Sequence, residues 1–508
     1  MVDATVTVRA DSIGVISPRL YGQFAEHLGR CCYDGLWVGP GSPIPNIEGW
    51  RTDVVEALRA LPTPMIRWPG GCYADHYHWR SGIGANRAAT MGMTCGITST
   101  DTHAIGTHEF LRFCELIDAE PYLAGNVGTG SVQELCDWIE YVNAATDTAL
   151  THERQTNGRI APWSVKLWGV GNETWDCGGR FDAVTYAQEF RRYARMIQDV
   201  DPKAEMVAVG LEDTVLPESH LEADWNEKVF RTLGPNAALM DHFSIHKYWI
   251  NGGPGVNFSE EQYYRLLDEA ESTEGLILRT RKVIDELGPS DHWIGISLDE
   301  WGVWHPETRE WGPGTTLLPE PSQLEQANTL RDALAAAVAL EGFHRQCNSL
   351  SMANIAQVAN TLQTAILTEG SDMAVTPTYH AFALHRAHVG ARAIVPDVAS
   401  DLRAPAGGPG VSATASRRDA GANSPGAVTI VNRHLDRAAV VNVALAGWPE
   451  MAVRTARLLT ADQANAQNKA GEPAVVSPRP IGVIDVGPGV FAISMPAHSM
   501  ATIEFEGA

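Results

Sequence analysis

Two carboxylates and their neighbours could do chemistry together. Glu173 closes the apolar run Ser164–Glu173, directly behind Gly171-Asn172, and Glu300 follows Asp299 within the run His292–Trp301. Cleaving a glycosidic bond takes one carboxyl group to protonate the leaving oxygen and a second to attack the anomeric carbon or to activate water. In the attacking arrangement the two groups stand about 5–5.5 Å apart. The pair therefore reads as Glu173 general acid/base and Glu300 nucleophile. The Asn172 amide is placed to bond a sugar hydroxyl beside the anomeric carbon. An acid must hold its proton near neutrality. An apolar wall of Trp168 and Trp175 would favour that by desolvation, and the charge of Glu300 would add to it.

Blander readings compete at each position. A single Glu at a strand end is usually a solvated rim residue, so the matching pair carries the argument. Glu26 is the rival carboxylate. His27, His76, His78, His242 and His246 raise a metal site, but only His76-x-His78 is closely spaced, and its surroundings read as loop. No metal and no cofactor are expected. Gly70-Gly71 resembles a phosphate loop without the Gly-Lys-Ser/Thr that should follow. Cys72 has no legible His/Asp partners and reads as a polarizable wall residue rather than a nucleophile.

The elements that must hold these residues are short apolar runs alternating with amphipathic stretches. Eight runs stand out: Arg19–His27, Pro64–Cys72, Ala119–Val127, Ser164–Glu173, Ala204–Glu212, Asp241–Tyr248, His292–Trp301 and Cys347–Gln357. Helical periodicity fills Arg51–Leu61, Thr107–Asp118, Val132–Asn143, Val184–Val200, Glu260–Leu287 and Leu324–Phe343, with capping boxes at Ser131/Glu134 and Ser259/Gln262. Eight strand runs alternating with helical stretches such as these predict an α/β fold, a (β/α)8 TIM barrel. Its active site lies at the C-terminal ends of the strands. Those ends bring Glu26-His27, Arg67-Trp68-Pro69-Gly70-Gly71-Cys72, Asn126, Asn172-Glu173, Glu212-Asp213, His246–Trp249, Asp299-Glu300-Trp301, Asn354 and Gln357 to one rim. Polar groups mixed with flat apolar faces suit a sugar. Runs four and seven lie across the barrel from each other.

Beyond about Pro377 the texture changes. Ala404–Gly426 reads as a long loop, and Ala427–Val431, Ala438–Leu445, Ala452–Leu459, Gly482–Val486, Val490–Ser494 and Met500–Phe505 read as strands. They predict a C-terminal antiparallel β-sandwich. The expected division is 1–15, an N-terminal strand joining the sandwich; 16–380, the barrel; and 381–508, the sandwich. The net charge of −23 repels nucleic acid and anionic membranes, which favours a neutral small molecule or polymer as the partner without saying which; the rim residues and the resemblance below make it an oligosaccharide. The first residues lack a signal-peptide pattern, and no run is long enough to span a membrane. The eight scattered cysteines predict free thiols in a reduced cytoplasmic protein.

Seven segments together resemble glycoside hydrolase family 51, the α-L-arabinofuranosidases: Tyr21–Gly35, Arg67–Trp79, Gly106–Glu115, Glu120–Gly130, Trp168–Gly179, Leu298–His305 and Asn354–Gln357. They span the whole barrel in the family's order, and Pro377–His380 fits the usual exit from it. The resemblance implies a retaining, exo-acting arabinofuranosidase with Glu173 as acid/base and Glu300 as nucleophile. It implies that Glu26, Cys72, Asn172 and Gln357 bond the furanose hydroxyls and that Arg67 sits near the nucleophile. His246 and Tyr248 would enter from strand six, the Tyr hydroxyl orienting Glu300, and Trp304 would wall the sugar. It further implies no metal and a homo-oligomer, a hexamer built as a trimer of dimers. Met93-Thr94-Cys95-Gly96 stands where the family often carries a Trp, and His246-Lys247-Tyr248-Trp249 departs from its commoner pattern. Both leave the preferred aglycone open. A related sugar, such as a β-D-galactofuranoside or a β-glucan, and a non-catalytic sugar-binding protein are the alternatives.

Overall fold

Runs that are apolar on both faces of a strand must be covered on both sides, which is the signature of a parallel sheet wrapped by helices. The computed structural model describes residues 2–211, 222–309, 314, 324–405, 407–419, 421, 424–446, 448 and 450–507. In it, eight parallel strands close into one barrel: Gly22–Phe24, Met65–Trp68, Glu120–Gly125, Leu167–Val170, Glu205–Val209, His242–Trp249, Gly295–Val303 and Leu350–Ala356. We number them one to eight in that order. Six lie within the run that predicted them, and strands six and seven extend past theirs by one and two residues, to Trp249 and Val303. Helices follow at Thr52–Ala60, Thr107–Ile117, Val132–Asn143, Ala183–Val200, Trp225–Leu233, Glu260–Leu287, Leu330–Arg345 and Pro377–Leu384.

The predicted caps formed with one difference. Ser259 and Gln262 make the reciprocal box. Ser131 accepts from Glu134 N, but the Glu134 carboxylate turns away to His78 at 2.9 Å. The seventh helix begins at Leu330 rather than Leu324, and it is buried all round until its last turn. Its outer face is covered by the second layer: His344 bonds Thr414 at 2.8 Å and Ser412 donates to Glu341 at 3.1 Å. Burial lifts the Glu341 carboxyl to about 7 and holds His344 well below its usual range.

That second layer is a β-sandwich of a five-stranded and a seven-stranded sheet. Ala4–Val8 lies in the five-stranded sheet, parallel to Ala439–Leu445 and antiparallel to Asp397–Ser400, with Ala4, Val6 and Val8 in the core. One expectation fails. The stretch read as a loop, Ala404–Gly426, contains the strand Val411–Arg417, paired on both edges. Its residues are small (VSATASR) because one face fills the sandwich core with Val411, Ala413 and Ala415 while Thr414 and Ser416 bond His344 and His388 on the other side. Small residues wedged between two layers look like loop composition.

Two local features set up the site. Strand seven carries one extra residue against strand eight: Leu298 pairs with Ala353 and Trp301 with Ile355. Against strand six, His246 pairs with Glu300, skipping Asp299. Such a bulge re-aims the side chain beside it, here Glu300. Between strand two and its helix, Thr90–Thr94 and Ile97–Asp101 form a hairpin whose two-residue turn, Cys95-Gly96, has φ +48° and +77°, the mirror-image turn that right-twisted hairpins favour.

Candidate active site

Arg67, on strand two, points into the barrel, buried over the Phe24 ring at 4.7 Å. An arginine there must be paired, because an isolated buried charge is too costly. It donates from one terminal nitrogen to Glu300 Oε1 at 2.8 Å and from the other to Asn172 Oδ1 at 2.5 Å. The Tyr248 hydroxyl donates to Glu300 Oε2 at 2.8 Å, and its ring meets Trp304 edge-on at 5.1 Å. Both oxygens of Glu300 are thus held. Burial would raise its pKa, but His246, Arg67 and the Tyr248 hydroxyl outweigh it, so the carboxyl lies below its ordinary value.

Glu173 approaches from strand four. Its Oε1 meets His246 Nδ1 at 2.8 Å, and the same nitrogen lies 3.8 Å from Glu300 Oε2. One carboxylate oxygen of each glutamate and the imidazole nitrogen lie within 4.8 Å of one another. Burial holds Glu173 above the ordinary carboxylate value, with Glu300 and Asp176 adding and His246 opposing. Burial acts against protonation of His246, yet Glu300 and Glu173 lift it to about 9. The pair thus has opposite shifts in adjacent carboxyls, the arrangement that separates an acid from a nucleophile. Glu173, His246 and Glu300 are also the residue types that bind a divalent cation. Arg67 already supplies positive charge to Glu300 at 2.8 Å, which works against adding a dication.

Glu26 forms the floor. Its Oε1 accepts from Gly71 N at 3.1 Å, Tyr73 N at 3.0 Å and Thr94 Oγ1 at 2.7 Å, and its Oε2 from Gln357 Nε2 at 3.1 Å. Burial, then Glu300, lift it to about 7 against those donors. The Gly70-Gly71 pair has its explanation here. A Cβ on Gly71 would stand 2.5 Å from Glu300 Oε1, and one on Gly70 2.7 Å from Glu26 Cγ. The glycines let backbone approach two carboxylates, not a phosphate.

The sequence-nominated residues Glu26, Arg67, Cys72, Asn172, Glu173, His246, Tyr248, Glu300, Trp304 and Gln357 thus connect into one network. Others do not join it. Trp168 packs on Trp138 at 5.5 Å and bonds Val165 O, and Trp175 donates to Gly210 O. What touches Glu173 Oε2 is sulfur: Cys177 at 3.6 Å and Cys72 at 3.9 Å. These two cysteines form a disulfide with Cα atoms 5.5 Å apart, which corrects the expectation of free thiols. Cys72 then has no S–H to offer a hydroxyl. Cys31, Cys32, Cys95, Cys114, Cys136 and Cys347 are free. His27 sits in an aromatic cluster with Tyr33, Trp68 and Tyr73, and His242 bonds Ser351. Glu212 and Asp213 lie outside the described residues.

Sequence reasoning missed Thr94, Asp75 and Cys177. The alternating run around Cys95-Gly96 was a legible hairpin signal. Nothing in the local sequence says that Asp75 accepts from Val127 N and Gly128 N at 2.8 Å, and from Asn172 N at 3.3 Å.

Comparison with known proteins agrees with this geometry. The model of the alpha-L-arabinofuranosidase 1 domain matches residues 57–253, and that of the alpha-L-arabinofuranosidase C-terminal domain matches residues 299–499. An intracellular exo-alpha-L-arabinofuranosidase of Bacteroides ovatus is 37% identical, over 99% of this chain and 96% of its own length. The crystal structure of the glycoside hydrolase family 51 arabinofuranosidase from Xanthomonas axonopodis pv. citri superposes with a TM-score of 0.89 at 34% identity, covering 100% of both chains. The α-L-arabinofuranosidase of Thermotoga maritima, solved with arabinose, gives 0.85 at 28% identity over 99% and 100%. With two carboxylates facing each other at the barrel rim and relatives matching its full length, this chain is a glycoside hydrolase that belongs to family 51, the α-L-arabinofuranosidases.

Proposed function

We propose that the enzyme removes terminal α-L-arabinofuranose from oligosaccharides by double displacement. The observation that carries this reading is the carboxylate spacing. Oxygens of Glu173 and Glu300 within 4.8 Å fit the retaining geometry and not the about 6.5–9.5 Å that leaves room for water between them. Glu173 gives its proton to the leaving oxygen while Glu300, held anionic by Arg67 and Tyr248, attacks the anomeric carbon. The Glu173 carboxylate then takes a proton from water, which releases the sugar. Glu26, Asn172 and Gln357 bond the furanose hydroxyls, and Trp304 and the Cys72–Cys177 sulfurs wall them. Cleavage from the chain end is supported by the name of the B. ovatus relative and by the way backbone and hairpin enclose Glu26.

The division into 1–15, 16–380 and 381–508, a cytoplasmic setting and a hexamer complete the reading. Pairing of Ala4–Val8 with sandwich strands supports the first, and the intracellular relative supports the second. Among the described residues no helix is long and apolar enough to cross a membrane. Sedimentation of the full chain tests the third.

Proton NMR of the first-formed product from p-nitrophenyl α-L-arabinofuranoside is the direct test. The α-anomer should appear first, and initial β-anomer would refute double displacement. Faster turnover of the β-D-galactofuranoside would change the sugar. No turnover of either would return the sugar-binding alternative.

His246 gives a pH signature. Its charge lowers the pKa of Glu300 and of Glu173. Activity requires Glu300 deprotonated, which sets the acid limb, and Glu173 protonated, which sets the basic limb. In His246→Gln both pKa values rise, so both limbs of kcat/KM against pH should move to higher pH. Limbs that stay fixed while the rate drops would assign His246 to packing alone.

A further inference from the structure

Glu173 has φ +38°, the left-handed region that is strained for a non-glycine residue and persists only when its surroundings impose it. Two of the ties are non-covalent. Glu173 O accepts from Asp176 N at 2.8 Å and Gly178 N at 3.1 Å, and Asp75 accepts from Asn172 N at 3.3 Å just upstream. The third is covalent. Cys177, four residues past Glu173 in the same turn, is bonded to Cys72, which opens the short helix after strand two, across a sequence separation of 105. The sulfurs lie 3.6 and 3.9 Å from Glu173 Oε2, while Oε1 is taken by His246.

We propose that the Cys72–Cys177 cross-link is a positioning element for the acid/base. It fixes the turn that forces Glu173 into its left-handed backbone, and it keeps Oε2 free of competing donors. This rests on Glu173 being the acid/base. A disulfide sulfur carries no hydrogen. Two thiols in its place would offer two weak S–H donors to Oε2, and donors to a carboxylate favour its charged form. Cutting the cross-link would therefore loosen the turn and make the acid give up its proton at lower pH. The other titratable groups that face Glu173 are His246, Glu300, Tyr248, Cys95 and Asp176, and none of them is altered by the cut. Both cysteines are only partly buried, so a small dithiol reaches them. It passes two electrons and two protons to the disulfide, leaving two Cys thiols and its own cyclic disulfide.

The experiment compares oxidised full-length enzyme, dithiothreitol-reduced enzyme and Cys177→Ala on two substrates. The 2,4-dinitrophenyl α-L-arabinofuranoside leaves without protonation, whereas the methyl glycoside needs the acid. The oxidised protein, denatured without reductant, should titrate six thiols. Reduced enzyme and Cys177→Ala should lose about tenfold or more in kcat/KM on the methyl glycoside beyond whatever they lose on the dinitrophenyl substrate, and show a basic limb moved to lower pH. Reoxidation should restore the reduced wild type but not the variant. Eight titrating thiols, or losses equal on both substrates, or no loss, would overturn the proposal. Glu173→Ala run alongside separates the two readings. If it lacks the leaving-group dependence, the acid/base assignment is what fails. If it shows the dependence and the reduced enzyme does not, the positioning role fails.

Discussion

Glu300→Gln should lower kcat for p-nitrophenyl α-L-arabinofuranoside by about 10⁴-fold or more, on the order of 5 kcal/mol of transition-state stabilisation. An amide cannot form the covalent bond to the anomeric carbon that the second carboxyl supplies. The substitution is nearly isosteric, and its side-chain oxygen can still accept from Arg67, which sits 2.8 Å away in the native enzyme. Glu300→Ala would instead strand that buried guanidinium, at a cost of roughly 3–5 kcal/mol. The Gln variant therefore separates chemistry from folding. Turnover is measured on protein whose thermal unfolding is close to wild type. Retention of more than a hundredth of the wild-type rate would mean that another carboxylate attacks, and Glu26, four hydrogen bonds deep in the same pocket, would be the candidate.

The second large effect concerns Glu173→Ala, and its size should depend on the substrate. A leaving group that departs as a stable anion needs no proton, so kcat/KM for the dinitrophenyl arabinofuranoside should change little. For an unactivated glycoside it should fall about 10²–10⁴-fold, the usual worth of general acid catalysis. The second step also loses its base, so the glycosyl-enzyme accumulates. The cavity left by the missing carboxyl admits azide, which needs no deprotonation. Added azide should accelerate turnover and yield arabinofuranosyl azide with the configuration of the substrate. Absence of both the leaving-group dependence and the rescue would transfer the acid role elsewhere, with His246, lifted to about 9, the first alternative.

Much of this protein is legible in the chain because barrel strands are short, apolar on both faces and ended by polar residues. That pattern placed eight strands in order and put Glu173 and Glu300 at one rim. The network joining the nominated residues follows from the same logic, since side chains ending neighbouring barrel strands converge. Where the reading failed, the reason is distance along the chain. Trp168 and Trp175 are adjacent to Glu173 in sequence, yet a strand sends alternate side chains to opposite faces, and Trp168 faces the helix layer. The sulfurs beside Glu173 come from a partner 105 residues away, a pairing that cysteine spacing does not reveal. Val411–Arg417 hid in a stretch of small residues because what it packs against lies in another layer.

What the sequence determined by itself is the periodicity, and hence the barrel, the sandwich and the chemical types at the rim. Local propensity and apolar pattern act over a few residues and survive in one dimension. What only the tertiary structure decided is the state of those types. The bulge in strand seven aims Glu300. His246, Arg67 and Tyr248 lower the pKa of Glu300 while burial raises that of Glu173. A cystine, where two thiols were expected, ties the turn after Glu173 to the short helix that follows strand two. Desolvation and Coulomb forces depend on distances of a few ångströms between residues tens to hundreds apart, and those distances exist only once the barrel has closed.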